Sequence, residues 1–293
     1  MENRTFIPGS EWVYFKIYTG TKVADAILKN ELFCYVSEML NNNIIDKWFF
    51  IRYNDPHFHI RLRLYLKNKK DYSIIFNRFF DFFLPIVESD LVWNIQCDSY
   101  HREIERYGAN TITIIEDLFF IDSRYIIRLL QQLDNEDAEQ QRWKLALVIV
   151  DNYLSAFKLD LEKKRDFSKV NANNLKNEFG LIHHNETKQL NDKYRFFRND
   201  IENSMLNRNE TFKSIDIIKM HMQALMPLIE KLIILEKSCE LQVTMISLIS
   251  SLIHMSLDRL FRTKNRLHEM VIYEFLSRYY ASEIAKNIHQ PRQ

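Results

Sequence analysis

Along the first hundred residues the apolar positions recur with two different periods, two in some stretches and about 3.6 in others, and each change of period marks an element boundary. Trp12 to Tyr18 alternates as a strand. Val23, Ile27, Leu28, Leu32, Val36, Met39 and Leu40 then fall at helical spacing, and Asn41-Asn42-Asn43 stops that helix. Lys47 to Tyr53 reads as a second strand, and the turn Asn54-Asp55-Pro56 leads into a third, His57 to Leu66, antiparallel to it. A phenylalanine-rich helix, Asp71 to Val87, and a fourth strand, Val92 to Tyr100, complete the series. The order βαββαβ predicts a ferredoxin-like, split-βαβ layer: one antiparallel sheet with two helices on one face.

From Ile112 onward the pattern is helical, with helices expected over Thr111 to Leu133, Glu136 to Leu161, Lys188 to Asn203, Phe212 to Glu236, Glu240 to Phe261 and Arg266 to Ile288. The polar stretch Arg165 to Glu186, interrupted by Gly180, is expected to be a mobile loop or insertion, and His289 to Gln293 a fraying end. The predicted class is therefore α+β: a sheet region over 1–108 followed by a mainly helical lobe over 109–293, together one domain.

Within the third strand, His57, His59, Arg61 and Arg63 point to one face and Phe58, Ile60, Leu62 and Leu64 to the other. By the same division Val13, Phe15, Ile17, Phe49, Ile51, Trp93, Ile95 and Cys97 are assigned to the apolar face. Lys16, Arg52, Asn94, Gln96 and Asp98 are assigned to the polar one. The sheet is thus expected to carry a locally cationic face, where like charges on neighbouring strands call for an anion or a carboxylate between them. Two further clusters carry chemistry. Glu103, Glu105 and Arg106 lie together just after the fourth strand, and Ser247, Ser251, His254 and Asp258 form a polar stripe on an otherwise apolar helix. Asp258, one turn from His254, is expected to hold the tautomer of that imidazole, as a general acid or base requires.

Composition narrows the function classes. Lys+Arg 40 against Asp+Glu 39 gives a net charge of +1, which provides no global field for nucleic acid or an anionic membrane. Three cysteines without paired spacing, Cys34, Cys97 and Cys239, are expected as reduced, buried thiols of a cytoplasmic protein, and no apolar run approaches the ~20 residues that span a bilayer. His57 with His59 and His183 with His184 lack a carboxylate or thiolate at ligand spacing, so no metal site is expected. Phosphate-binding loops, dinucleotide fingerprints and nucleophile elbows are missing from the sequence.

Several blocks together resemble the C-terminal elimination domain of class I lantibiotic dehydratases, also called the thiopeptide-type bacteriocin biosynthesis domain. They are Trp12-Val13-Tyr14-Phe15-Lys16-Ile17-Tyr18, Trp48-Phe49-Phe50-Ile51-Arg52-Tyr53-Asn54-Asp55-Pro56, His59-Ile60-Arg61-Leu62-Arg63, Glu103-Ile104-Glu105-Arg106-Tyr107-Gly108, Asp122-Ser123, and Ile253-His254-Met255 with Arg259-Leu260. The resemblance implies that Arg61, Arg63, Arg106 and His254 are catalytic, and Asp258 is placed with them. Arg52, His59, Glu103, Ser251 and Arg259 are expected to bind substrate beside them. Asp258, where the family has Asn, Ala109, where it has a second Gly, and Phe261-Arg262, where a Gly is usual, depart from the pattern.

The reaction so implied removes the α-proton and expels glutamate from a glutamylated Ser or Thr of a ribosomally made precursor peptide, leaving dehydroalanine or dehydrobutyrine. It needs no metal or organic cofactor. The expected partners are that precursor with its leader peptide and a separate glutamylating dehydratase subunit, since the large glutamylation domain is not in this sequence. A second reading on the same fold is a thiopeptide pyridine synthase, which joins two dehydroalanines in a formal [4+2] cycloaddition and releases the leader. A third is a non-catalytic partner that binds the precursor.

Overall fold

The structure, a computed structural model, describes residues 3–133, 138–181, 184–206 and 214–289. The expected helix starts at Glu136 and Phe212, the residue His183 and the expected fraying beyond His289 lie outside the described residues. The N-terminal part runs β1 (Thr5–Phe6), β2 (Trp12–Thr19), α1 (Thr21–Ile27), α2 (Phe33–Asn41), β3 (Ile45–Asn54), β4 (Phe58–Leu66), α3 (Tyr72–Glu88), β5 (Val92–Cys97), β6 (Tyr100–His101) and α4 (Ile104–Tyr107). A five-residue π-helical turn, Leu28–Leu32, joins α1 to α2, so the single expected helix is present with one widened turn. The helices α5 (Ile112–Gln132), α6 (Ala138–Ala156), α7 (Leu161–Glu178), α8 (His184–Met205), α9 (Ile215–Lys237), α10 (Met245–Leu260) and α11 (Asn265–His289) follow.

The main sheet has the order β3-β4-β2-β5 with every neighbouring pair antiparallel, which is the ferredoxin-like arrangement read from the sequence. β1 and β6 form a separate two-stranded ribbon. Val13, Phe15, Ile17, Ile60, Leu62 and Leu64 are all buried on the face that α1, α2 and α3 cover. Phe15, Phe79 and Phe83 stack in series at 4.0 Å and 4.1 Å, joining sheet to α3. Each such side chain contributes ~1.5–3 kcal/mol on full burial, so this face holds the sheet against its helices.

Register corrects three of the expected face assignments. Phe49 is opposite Arg63, Ile51 opposite Arg61 and Tyr53 opposite His59, whereas Arg52 is opposite Ile60. Phe49 and Ile51 therefore share the face of the arginines, and Arg52 stands on the helix-covered face. There it is buried and donates from Nη2 to Asp25 Oδ1 of α1 at 2.6 Å. The physical reason is the loop: Asp55, Pro56 and His57 separate the paired residues Asn54 and Phe58, and this odd spacing sets odd-numbered residues of β3 against odd-numbered residues of β4. Both faces of β3 are covered, so its run of Trp48, Phe49, Phe50 and Ile51 gives no alternation from which to read the phase.

The segment expected as a loop after Arg165 is instead the helix α7. Asp160 caps it by accepting from the Lys163 amide, and Lys164, Phe167, Ser168, Ala172 and Leu175 form a buried stripe in a helix that packs along α11. Gly180, at φ +67, ends the helix rather than interrupting a loop, with the amides of Gly180 and Leu181 returning to Asn177 and Lys176.

Two compact units result, 1–131 with 230–248, and 132–229 with 249–293. The expectation of buried thiols is corrected: Cys34, Cys97 and Cys239 are all exposed, Cys97 because it lies on the edge strand β5. Among the described residues no helix is long and apolar enough to cross a membrane.

Arg52 and Asp25 are both nearly inaccessible, so removing one partner leaves a charge in the core. Arg52→Ala is expected to destabilise the protein by about 3–5 kcal/mol, and the double replacement Arg52→Met with Asp25→Leu to recover most of that loss. Urea denaturation midpoints of the variants measure the difference.

Candidate active site

In the first unit the polar face of the sheet brings together Tyr14, Lys16 and Tyr18 of β2 with Arg63, Arg61 and His59 of β4, each pair directly opposed. Arg61 places its guanidinium carbon 3.3 Å from the centre of the Tyr53 ring and donates from Nε to His59 Nε2 at 3.1 Å. His59 Nδ1 lies 2.8 Å from the His57 carbonyl, so the imidazole that satisfies both contacts is neutral, with its proton on Nδ1. Burial is the main cause that lowers the His59 pKa below the ordinary histidine value, and Arg61 and Lys16 add to it against the pull of the His57 carbonyl. Lys16 is paired with Asp98, and Tyr18 donates to Gln96.

Arg63 is treated differently. The residue is only 9% exposed, and its guanidinium carbon sits 4.6 Å, 4.8 Å and 5.3 Å from the ring centres of Tyr14, Tyr100 and Phe49. None of the described residues accepts a hydrogen bond from its buried Nε, and burial lowers the pKa of the group. Arginine nevertheless keeps its charge in proteins. The result is a desolvated cation held by the faces of aromatic rings, which attract it electrostatically but leave its N–H donors available.

The same unit shows what a structural arginine looks like. Arg102 makes paired bonds of 2.7 Å to both carboxylate oxygens of Glu116, and Tyr100 adds a third bond to that carboxylate. Arg106 lies near the surface on α4, 3.4 Å from Glu103, while Glu105 pairs with Arg4. Arg106 is placed by the turn from Glu103 to Gly108, whose glycine has φ +81. The amide of the following Ala109 donates to the Gln242 side chain at 2.7 Å. A second glycine is not required at 109, since only Gly108 of the pair adopts a positive φ.

In the second unit His254 lies on α10, where it is partly exposed. Its Nδ1 lies 2.8 Å from Glu269 Oε2 of α11, and Glu269 is also 3.4 Å from Arg266, which pairs in turn with Glu178 of α7 at 2.5 Å. Glu269 is almost wholly buried, whereas His254 keeps partial exposure. A carboxylate on Nδ1 fixes the ring and leaves Nε2 to give or take a proton. Asp258 does not perform the expected orienting role: its carboxylate accepts from the Asn265 side chain at the start of α11. Ser251 is buried on the same helix, and Arg259, expected to bind substrate, is fully buried and donates to the Met255 carbonyl at 3.0 Å.

Tyr14, Tyr100 and Glu269 are among the members of these clusters that sequence reasoning passed over. Of these, Tyr14 alone had a partial signal, since it shares the phase of Lys16 along β2. Glu269 had none, because it reaches His254 from another helix.

The chain matches the family model described as lantibiotic biosynthesis dehydratase C-term over residues 12–280, and it belongs to that family. It is 25% identical over 279 residues to the subtilin biosynthesis protein SpaB of Bacillus subtilis, an alignment covering 92% of this chain and 25% of that protein. The chain thus spans about a quarter of the length of this curated relative. Its fold is similar to that of the tRNA dependent lantibiotic dehydratase MibB from Microbispora sp. 107891, with TM-score 0.72 at 15% identity over 96% of this chain and 29% of that one. It is also similar to the pyridine synthase TbtD from thiomuracin biosynthesis, with TM-score 0.65 at 12% identity over 95% of this chain and 100% of that one.

The lowered pKa of His59 means that below the ordinary value of about 6.5 the unfolded chain binds this proton more readily than the folded one. The associated stability is complete above about pH 6.5 and declines as pH falls from there through the lowered folded value. Comparing denaturation midpoints at several pH values, His59→Gln is expected to lose less stability on acidification than the wild type.

Proposed function

We propose that this chain eliminates glutamate from glutamylated Ser or Thr residues of a ribosomally made precursor peptide. The observation that carries the reading is Arg63, a cation taken out of water and surrounded by aromatic rings, with no hydrogen bond from its buried Nε to any described residue. Burying a charge without a partner is costly, and a carboxylate arriving with the substrate offsets that cost. A departing glutamate brings such carboxylates. Arg63 and Arg61 bind them by charge-assisted hydrogen bonds, and Arg106 adds a third cation.

In the proposed reaction a base takes the α-proton, its electron pair forms the Cα–Cβ double bond, and the Cβ–O bond breaks as glutamate leaves as a carboxylate. Arginine donors stabilise the negative charge that develops on the enolate-like oxygen and on the leaving group. His254, oriented by Glu269, moves the proton through Nε2. The glutamyl ester itself is made by a glutamylating partner, and a peptide leader brings the precursor to the enzyme. Asp258, Ser251 and Arg259 serve this mechanism through the placement of α10 and α11, and Arg52 serves it through the core of the sheet unit.

The deciding experiment incubates the purified protein with a glutamylated precursor and, separately, with a fully dehydrated one, following both by mass. Loss of glutamate from the first with no change in the second is expected. Conversion of the dehydrated peptide alone into a macrocycle and a released leader overturns elimination in favour of cycloaddition, and inertness toward both leaves a binding partner. With the glutamylated peptide, Arg63→Lys is expected to lower kcat/KM at least a hundredfold, because an ammonium cannot reproduce the planar paired donors. Glu269→Gln is expected to reduce kcat by about a hundredfold with KM nearly unchanged.

A further inference from the structure

β5 is an edge strand of the main sheet, and its sequence, Val92-Trp93-Asn94-Ile95-Gln96-Cys97, carries neither a charge nor a proline. Edges exposed in this way are ordinarily blunted by Lys, Pro or a covering element. The Asp98 amide donates to the Tyr14 carbonyl, and Gln96 and Asn94 continue that alternation toward β2. The N–H and C=O groups of Ile95 and Cys97 therefore point away from the sheet, and no described residue pairs with them. Their side chains line one wall of an open cavity of about 480 Å³ whose other walls are Phe76, Phe80, Leu84 and Val87 of α3, with Phe15 of β2 at its base. Phe80 is 59% exposed and Trp93 57% exposed, so the patch continues onto the surface.

We propose that the free edge of β5 docks an extended segment of the peptide substrate as a fifth strand of the sheet, with apolar side chains at alternate positions filling the cavity beneath α3. Residues opposite Ile95 and Cys97 have their side chains on the same face as those two, and so enter the cavity. The intervening residues emerge on the other face, the one that carries Arg61 and Arg63. Three strand spacings of about 4.8 Å put the docked segment roughly 14 Å from β4, within a few residues of extended chain. A second copy of this chain fits less well, since its own β5 offers at the inward positions only Ile95 and Cys97, which line the cavity rather than fill it. This inference rests on the peptide-modifying reading for the origin of the strand; its test reads binding and not turnover, so either can fail without the other.

The test uses the whole protein with Cys34→Ser and Cys239→Ser, because all three cysteines are exposed and only Cys97 lies in the cavity. A synthetic peptide of alternating Val and Thr is the probe, and a copy N-methylated at every second amide along its pairing edge is the control. Bound probe is expected to slow both hydrogen exchange of the Ile95 and Cys97 amides and alkylation of the Cys97 thiol by N-ethylmaleimide about tenfold at high occupancy. The methylated copy is expected to do neither, and Phe80→Asp to abolish the effect while leaving the denaturation midpoint near that of the parent. Absence of protection at about 1 mM probe, the weak end of specific association, overturns the proposal. So does equal protection by the methylated copy, which marks an apolar cavity without strand pairing. Protection that rises with protein concentration in the absence of probe also overturns it, since that identifies a second copy on the edge.

Discussion

The register of β4 against its two neighbours is the constraint from which the rest of the sheet unit follows. Side chains alternate strictly across a strand, so one residue of slip would exchange Ile60, Leu62 and Leu64 for His59, Arg61 and Arg63 against the helices. The apolar set is fully buried by α1, α2 and α3, and that burial holds the register in place. The cationic set is thereby presented on the opposite face, with Tyr14, Tyr18 and Tyr53 supplied by the flanking strands. Packing on one side of the sheet thus determines chemistry on the other.

The sheet unit compensates its buried cations in two ways. Arg52 has Asp25 and Arg102 has Glu116, each a charge compensated within the fold. Arg63 is held by three aromatic rings, which favour the cation without occupying its donors. Within the sheet unit, then, carboxylates reach two of the buried arginines and aromatic rings reach the third. In the second unit the same economy holds: His254 is given a buried carboxylate on Nδ1, while Nε2 is left for other chemistry.

The chain belongs to the lantibiotic dehydratase C-terminal family over residues 12–280. Structures named as a lantibiotic dehydratase and as a pyridine synthase share this fold, and a shared fold does not by itself specify a reaction.

The order βαββαβ, the apolar side of β4, the helical character after residue 112 and the arginine pair on one strand were all legible in the sequence, because each depends on the period of side chains along a single element. Arg52, Glu269 and α7 were not. The face of Arg52 depended on the number of residues in a hairpin loop beside a strand buried on both sides. The carboxylate on His254 came from α11 rather than from the same helix. The polar appearance of 165–180 concealed a narrow stripe that is buried in a helix packed along α11. The aromatic box around Arg63 belongs with these, since Tyr14, Phe49 and Tyr100 come from three different strands. Local periodicity determines the elements and the faces they offer. Which residues from separate elements meet, and whether a charge finds a carboxylate or a ring, is decided only when tertiary packing removes them together from water.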